Sequence, residues 1–326
     1  MKTGKLTPQE LNEIVFSRLP PLGPGIVCGP GNGLDCAAID CPAGSRLIMS
    51  SDPITGAGKD IGRLAVHVSC NDLAAFGVKP EAIMLVLIAP VTAVREQLIE
   101  IMNQVSAACI ELGTSVAGGH TEISDAVNRF LLTATAVGFA SGDLIKSNGA
   151  RPGDSLIMTK TAGLEGTAII AADLPDKLRG CLSEAEIAAA AAMIDRISVV
   201  PEGLCGRRAG VHAMHDVTEG GIMGAAWEMA EAAGLGLMIR QEAVLVDDLT
   251  AKICDLVGID PYRLISSGSM LMATDKPELL QKELAAEGIV AAEIGCFTKS
   301  SDRVIEFQGK MLPLEQPDRD ELYKLV

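Results

Sequence analysis

Aromatic side chains are scarce in this chain, 3% of 326 residues, with one Trp, two Tyr and six Phe. A compact interior must therefore be filled by aliphatic groups. At 48% hydrophobic content and this length they suffice for two domains with full cores. Basic residues are also in deficit, 27 Lys and Arg against 42 Asp and Glu, a net charge of −15. That balance argues against nucleic acid as a partner, whose electrostatic footprint is basic. It leaves phosphate ligands open, because a bridging magnesium reconciles carboxylates with phosphate. No apolar run nears the roughly 20 residues needed to cross a bilayer, and the opening MKTGKLTPQE has no apolar signal core. The expected compartment is the cytoplasm, with no membrane partner.

Familiar signatures are missing as well. The nine cysteines form no CxxC pair, and most, such as Cys70, Cys109 and Cys254, sit in apolar surroundings and read as reduced core thiols. Cys28, Cys36 and Cys41 stand apart because they flank a glycine-rich loop. There is no GxxxxGK[ST] phosphate loop, since Gly58-Lys59 is followed by Asp60, and no GxGxxG between a strand and a helix. A nucleotide bound here needs another architecture.

What is present centres on Ser51 to Pro80, SDPITGAGKDIGRLAVHVSCNDLAAFGVKP. Arg46 to Ser50 predicts a short buried strand, which sets Asp52 at a strand's C-terminal end, where α/β proteins place ligands. Asp60 reads as the N-cap of a helix that runs to Gly77 and stops before Pro80. On that helix Asp60, Arg63, His67 and Asn71 share one face, with Asp72 beside them. Upstream, Leu6 to Leu19 has helical spacing, with Thr7 as N-cap and Pro8 in the first turn. Gly29, Gly31 and Gly33 could then bring backbone N–H groups to a phosphate, with Asp35 holding a cation. A plain surface turn explains the same residues equally well.

Downstream, Ala82 to Ala89 is a continuous apolar run, expected of a strand covered on both faces. Thr92 to Leu112 predicts a helix that stops at Gly113, and Thr114 to Ala117 a short strand. Gly118, Gly119, His120, Thr121 and Glu122 then fall at that strand's end. Phe130 to Phe139 predicts a further strand, and a boundary near 148–152 divides the chain into domains 1–149 and 150–326. The second half opens on a strand from Asp154 and an alanine-rich helix over 183–194, and ends in two more αβ passages. Within it lies HAMHDVTEGG, with His215 and Asp216 at a strand end and Gly220 and Gly221 at a helix N-terminus, where the dipole favours anions. A βα turn capped by Thr218 or Glu219 is the plainer reading of that motif.

The segments GNGLDCAA, SDPITGAGKDIGR, NDLAAFGVKP, VAGGHTE and HDVTEGG, in this order over nearly the whole chain, resemble the aminoimidazole ribonucleotide synthase (PurM-like) superfamily. Within it the HypE-like branch is the most similar. The resemblance implies an α/β fold of two domains. The strands of the N-terminal domain would pair with a second subunit in a dimeric β-barrel, hence a homodimer, and the C-terminal domain would be α/β. It also implies ATP and Mg²⁺ as cofactors in a cleft near the dimer interface. Position by position, Asp35, Asp52 and Asp72 match acids that bind the metal and the phosphates. Gly31 and Gly33 lie in the corresponding glycine-rich loop, and Gly118 and Gly119 match a glycine pair at the nucleotide, followed by His120 and Thr121. Asp60 and Asn71 shape the same cleft, and Asp216 matches the acid of the second-domain motif. Asp52, Asp72, His120 and Asp216 are thus the catalytic candidates, although His120 stands where relatives often carry Asp, Glu or Asn.

The implied activity is ATP-driven activation of a carbonyl or amide oxygen, in hydrogenase or other metallocentre maturation. The acceptor would be a small molecule or a protein thiol, and a maturation partner protein is implied. An amidine-forming cyclase, a small-molecule kinase and a non-catalytic ATP-binding assembly partner are the alternatives. The chain ends Tyr323-Lys324-Leu325-Val326 and its last cysteine is Cys296. Chemistry on a C-terminal cysteine, as HypE performs it, is therefore not carried over.

Overall fold

Thr7 opens the first helical segment as its N-cap. Its Oγ1 accepts the Glu10 N–H at 3.3 Å, while the Glu10 carboxylate accepts the Thr7 N–H at 2.8 Å. Pro8 takes the first helical position, as expected. This helix, α1 (Pro8–Glu10), continues as a π-helical turn over Leu11–Val15 and a 3₁₀ turn over Phe16–Arg18, and stops before Pro20. The computed structural model describes every residue except 1, 2, 33, 35, 55–57, 317 and 326. The chain divides into two units, residues 1–73 with 78–143, and residues 74–77 with 144–326.

In the first unit β1 (Gly4–Lys5), β2 (Ile26–Cys28), β3 (Ala38–Ile39) and β4 (Arg46–Ile54) precede α2 (Ile61–Ala75). Then come β5 (Pro80–Pro90), α3 (Arg95–Leu112), β6 (Ser115–Ser124) and β7 (Leu131–Ala140). Among the described residues, five strands form a sheet in the order β1-β6-β5-β7-β4, parallel between β5 and β6 and antiparallel elsewhere, while β2 and β3 make a separate hairpin. The apolar run of β5 makes it the central strand. Ile83, Leu85 and Leu87 are buried, as are Leu64 and Leu73 of α2 and Leu98 and Met102 of α3. Ser69 of α2 donates to the Ala134 carbonyl of β7 at 2.8 Å. Gly113, at φ 62°, ends α3 where the sequence places its stop.

Three expectations change here. The strand at Arg46 is longer than expected and is an edge rather than a buried strand, with Leu47 and Met49 51% and 58% exposed. Strand β6 does not end at Ala117 but runs unbroken through Gly118–Glu122. The polar stripe of α2 is not an open platform. His67 and Asn71 are buried, and Arg63 reaches Glu111 of α3 at 2.8 Å, with His67 Nε2 3.7 Å from the same carboxylate.

The second unit comprises β8 (Ser155–Thr159), α4 (Leu164–Asp173), α5 (Glu184–Ala191), α6 (Val200–Ala209), β9 (Ala213–Asp216), α7 (Gly221–Ala233) and β10 (Gly236–Arg240). It closes with α8 (Asp248–Val257), β11 (Met270–Thr274), α9 (Pro277–Ala286), β12 (Ala291–Thr298), β13 (Arg303–Phe307) and β14 (Lys310–Pro313). The described strands form a sheet in the order β14-β13-β10-β12-β8-β11-β9, parallel only between β10 and β13. After α9 and β12 the chain forms a β13–β14 hairpin and a 3₁₀ turn over Glu321–Lys324 where a second αβ passage was expected. Aliphatic and sulfur side chains dominate the core. Leu156, Met158, Met229 and Leu271 pack with Phe297, and Trp227 packs partly buried at the margin under the Arg303 guanidinium, 5.2 Å from its ring centre.

Candidate functional site

Strand β4 and helix α2 bring two of the predicted acids together. Ser50 Oγ donates to Asp72 Oδ2 and lies 3.5 Å from Asp52 Oδ2, so one hydroxyl links both carboxylates. The alternation of β4 turns Ser50 and Asp52 to one face and Ser51 to the other, where its hydroxyl meets that of Thr135 at 2.8 Å. Asp60 immediately precedes α2 and its carbonyl accepts the Leu64 N–H at 2.9 Å. Its φ of 51° is left-handed, unlike the extended conformation of an N-cap residue. Asn71 is buried one position before Asp72. Asp35 and Gly33 lie outside the described residues.

Among the described residues no group of three or more His, Cys, Asp or Glu side chains forms a metal cage. Two carboxylates sharing a hydroxyl nonetheless fit magnesium, which typically takes one or two carboxylates and fills its remaining positions with water and substrate phosphates.

The glycine-histidine stretch of β6 lies elsewhere. Gly31, Gly118, Gly119, His120 and Thr121 line a cavity of about 340 Å³ together with Phe16 and other side chains of the N-terminal segment. Gly119 is required by the sheet itself, since a Cβ there would stand 1.9 Å from the Leu85 carbonyl oxygen of β5. At Gly118 a Cβ would meet the Met84 side chain at 2.9 Å. His120 Nε2 is 3.0 Å from Glu122 Oε2, two residues along the same face. The pairing register aligns Asp52 with Ala134, Leu85 and Gly119, but His120 with Val86 and Thr133. His120 therefore faces the side of the sheet opposite to Asp52, and three strand spacings, about 14 Å, separate β6 from β4. One chain does not bring these two groups into one cluster.

In the second unit Asp216 ends β9, buried, with His215 Nδ1 3.8 Å away. Burial works against charging His215, but Glu228, 3.0 Å away, and Asp216 outweigh it and raise its pKa. Gly220, at φ 81°, precedes α7, so the cap is neither Thr218 nor Glu219. Its N–H donates instead to Asp320 Oδ2 at 2.8 Å.

Sequence reasoning also passes over Glu165. It is buried in the first turn of α4, accepts the Ser267 N–H at 3.3 Å, and burial pushes its carboxyl up to about 7, with Asp320 and Glu219 adding to the rise. Its only signal is a position inside the apolar run GLEGTAII. A raised acid pKa contributes stability fully below the unfolded value near 4.5 and loses it as pH rises through about 7. The loss amounts to roughly 3 kcal/mol at most. Glu165→Gln is expected to melt above the native protein at pH 8 and close to it at pH 4.5. An equal shift at both pH values in thermal denaturation would contradict the assignment.

Set against known proteins, residues 33–140 match the family described as AIR synthase related protein, N-terminal domain, and residues 151–307 match its C-terminal domain. A Methanocaldococcus jannaschii protein provisionally named for hydrogenase expression/formation is 32% identical over 288 residues, 84% of this chain and 81% of that one. Carbamoyl dehydratase HypE of Cupriavidus necator is 29% identical over 252 residues, 73% and 68% of the two chains. The structure superposes on E. coli HypE with a TM-score of 0.81 at 21% identity, covering 98% and 100% of the chains. It superposes on a HypE solved in complex with ATP with a TM-score of 0.72 at 21% identity, covering 89% and 90%. The chain belongs to the AIR synthase related family.

Proposed function

We propose that this protein is an ATP-dependent enzyme that activates a carbonyl or amide oxygen of its acceptor, acting in hydrogenase or other metallocentre maturation alongside a partner protein. The observation that carries the reading is the Asp52–Ser50–Asp72 cluster. Relatives named carbamoyl dehydratase and a related fold solved with ATP support it. Mg²⁺ held by Asp52 and Asp72 would neutralise the phosphate charge that opposes attack on the γ-phosphorus. The protein's own part is to position: Ser50 holds the Asp72 carboxylate beside that of Asp52, and the glycine backbone of β6 admits the ligand closely. His120, held by Glu122, is placed to exchange a proton with the acceptor rather than to bind metal.

A homodimer belongs to the same reading. The exposed Leu47 and Met49 on edge strand β4 suit a second copy of the chain, which would bring a β6 cavity toward the acid pair that one chain leaves apart. Met49→Asp is expected to halve the mass measured by light scattering and to weaken ATP binding. A native protein that is already monomeric would contradict the dimer.

Product analysis tests the function. Incubation with ATP, magnesium and a panel of amide, S-carbamoyl thiol and phosphorylated acceptors should yield ADP, free phosphate and an acceptor product short of the elements of one water, its carbonyl oxygen leaving in the phosphate. A phosphorylated product would instead make it a kinase, and nucleotide binding without turnover would make it an assembly factor.

A further inference from the structure

The cysteines fall into two groups. Cys70, Cys109, Cys205 and Cys254 are buried, and burial pushes their thiols up, Cys109 and Cys254 to about 12. Such thiols carry almost no reactive thiolate at neutral pH. Cys28 and Cys36 differ. Cys28 ends β2 opposite Ala38, and Cys36 stands two residues before that partner. The Cys28 thiol points across the hairpin to the Cys36 carbonyl oxygen, 3.7 Å away. Cys36 is exposed and lines the cavity, and Cys28 is partly exposed. Cys41 is turned elsewhere, with its sulfur 3.5 Å from Ser45 Oγ.

We infer that Cys28 and Cys36 form a reversible disulfide that closes the glycine-rich segment between them into a ring at the rim of the cavity and weakens nucleotide binding there. The Cys28 sulfur already lies against the Cys36 backbone, and because Cys36 is a diagonal neighbour across the hairpin, joining the two sulfurs takes rotation of the Cys36 side chain and a small shift of the chain entering β3. The natural oxidant is a low-molecular-weight disulfide such as glutathione disulfide. One thiolate attacks it, giving a mixed disulfide and releasing one glutathione. The second cysteine's thiolate then displaces the other glutathione, so two protein thiols lose two electrons and two protons while one disulfide becomes two thiols. In a reducing compartment such a bond is transient, as redox sensors require. Closing the ring restricts the backbone around Gly29 and Gly31, the residues free of side chains at the cavity wall. The linkage stands on the hairpin geometry, whereas its effect on binding rests on reading this cavity as part of the nucleotide site.

The test uses the full-length protein equilibrated with glutathione disulfide. Trypsin cuts after Arg18 and Arg46, leaving all three thiols in one peptide, and cleavage before Asp35 and Asp40 then separates Cys28, Cys36 and Cys41. The expected product is the 28-containing and 36-containing fragments joined, with two hydrogens lost and no glutathione retained. Cys28→Ser and Cys36→Ser should each leave a glutathione adduct on the remaining thiol, while Cys41→Ser should form the link normally. By calorimetry the oxidised protein should bind ATP with magnesium about tenfold more weakly, recovering with dithiothreitol, and the double variant Cys28→Ser with Cys36→Ser should not respond to oxidant. A Cys36–Cys41 link, or adducts without a link, overturns the disulfide. A correct link with unchanged affinity overturns its regulatory role. Absence of ATP binding in both forms overturns the nucleotide reading while leaving the link in place.

Discussion

Gly119→Ala is expected to unfold the first unit at temperatures the native protein tolerates. The added Cβ would lie 1.9 Å from the Leu85 carbonyl oxygen, a backbone atom of the central strand with no side-chain freedom to move aside. Relief requires β5 and β6 to part, breaking parallel pairing that runs from Ala82↔Ser115 to Pro90↔Ser124. Overpacking of this kind costs about 3 kcal/mol, which corresponds to a melting shift on the order of 10 °C. Gly25→Ala is the matched control, because a Cβ there meets nothing within 4 Å. If the two variants melted alike, the close approach of β5 and β6 would be wrong.

Asp72→Asn should leave the fold intact and remove most of the nucleotide affinity. Ser50 can still donate to the amide oxygen of Asn, so the local hydrogen bond survives. What disappears is one of the two negative charges that Ser50 holds together. Loss of one carboxylate from a two-carboxylate magnesium site is expected to weaken binding of ATP with magnesium by about a hundredfold, or ~2.7 kcal/mol. Thermal stability should be unchanged or slightly raised, because two neighbouring negative charges no longer repel. Asp125→Asn, an exposed residue beyond the end of β6, carries the same charge change and should alter affinity less than twofold at physiological salt. Equal effects from both variants would mean that only the overall field of the acidic chain matters.

Much of the fold follows from local patterns that tertiary structure did not override. The apolar run of β5, the stop at Gly113 and the Thr7 cap depend on neighbours within a few residues, and each sits where expected, although β5 is fully covered on one face only, with Met84, Val86 and Ile88 of the other face half-buried. Burial is less legible. Leu47, Ile48 and Met49 form a continuous apolar run like that of a strand buried on both faces, and the run alone cannot say which of those faces meets a core and which stays open. The Gly118-Gly119 pair looks like the end of a strand because glycine usually interrupts one, yet β6 continues because its backbone presses against β5.

The site is legible in its residues and not in its assembly. Asp52 and Asp72 stand 20 residues apart in sequence and meet through Ser50, which no pattern singles out. His120 belongs to the opposite face of the sheet because pairing register, not spacing along the chain, decides which side a strand residue takes. Glu165 escaped notice because its perturbation comes from depth of burial, and Asp320 because it reaches Gly220 across 100 residues.

The central claim is that Asp52 and Asp72 receive ATP through magnesium, and calorimetric titration of ATP with and without the metal tests it most directly. The expected result is saturable binding near one site per chain in magnesium, weakened at least about tenfold when the metal is chelated. Binding that ignores magnesium, or no binding in its presence, would contradict the account.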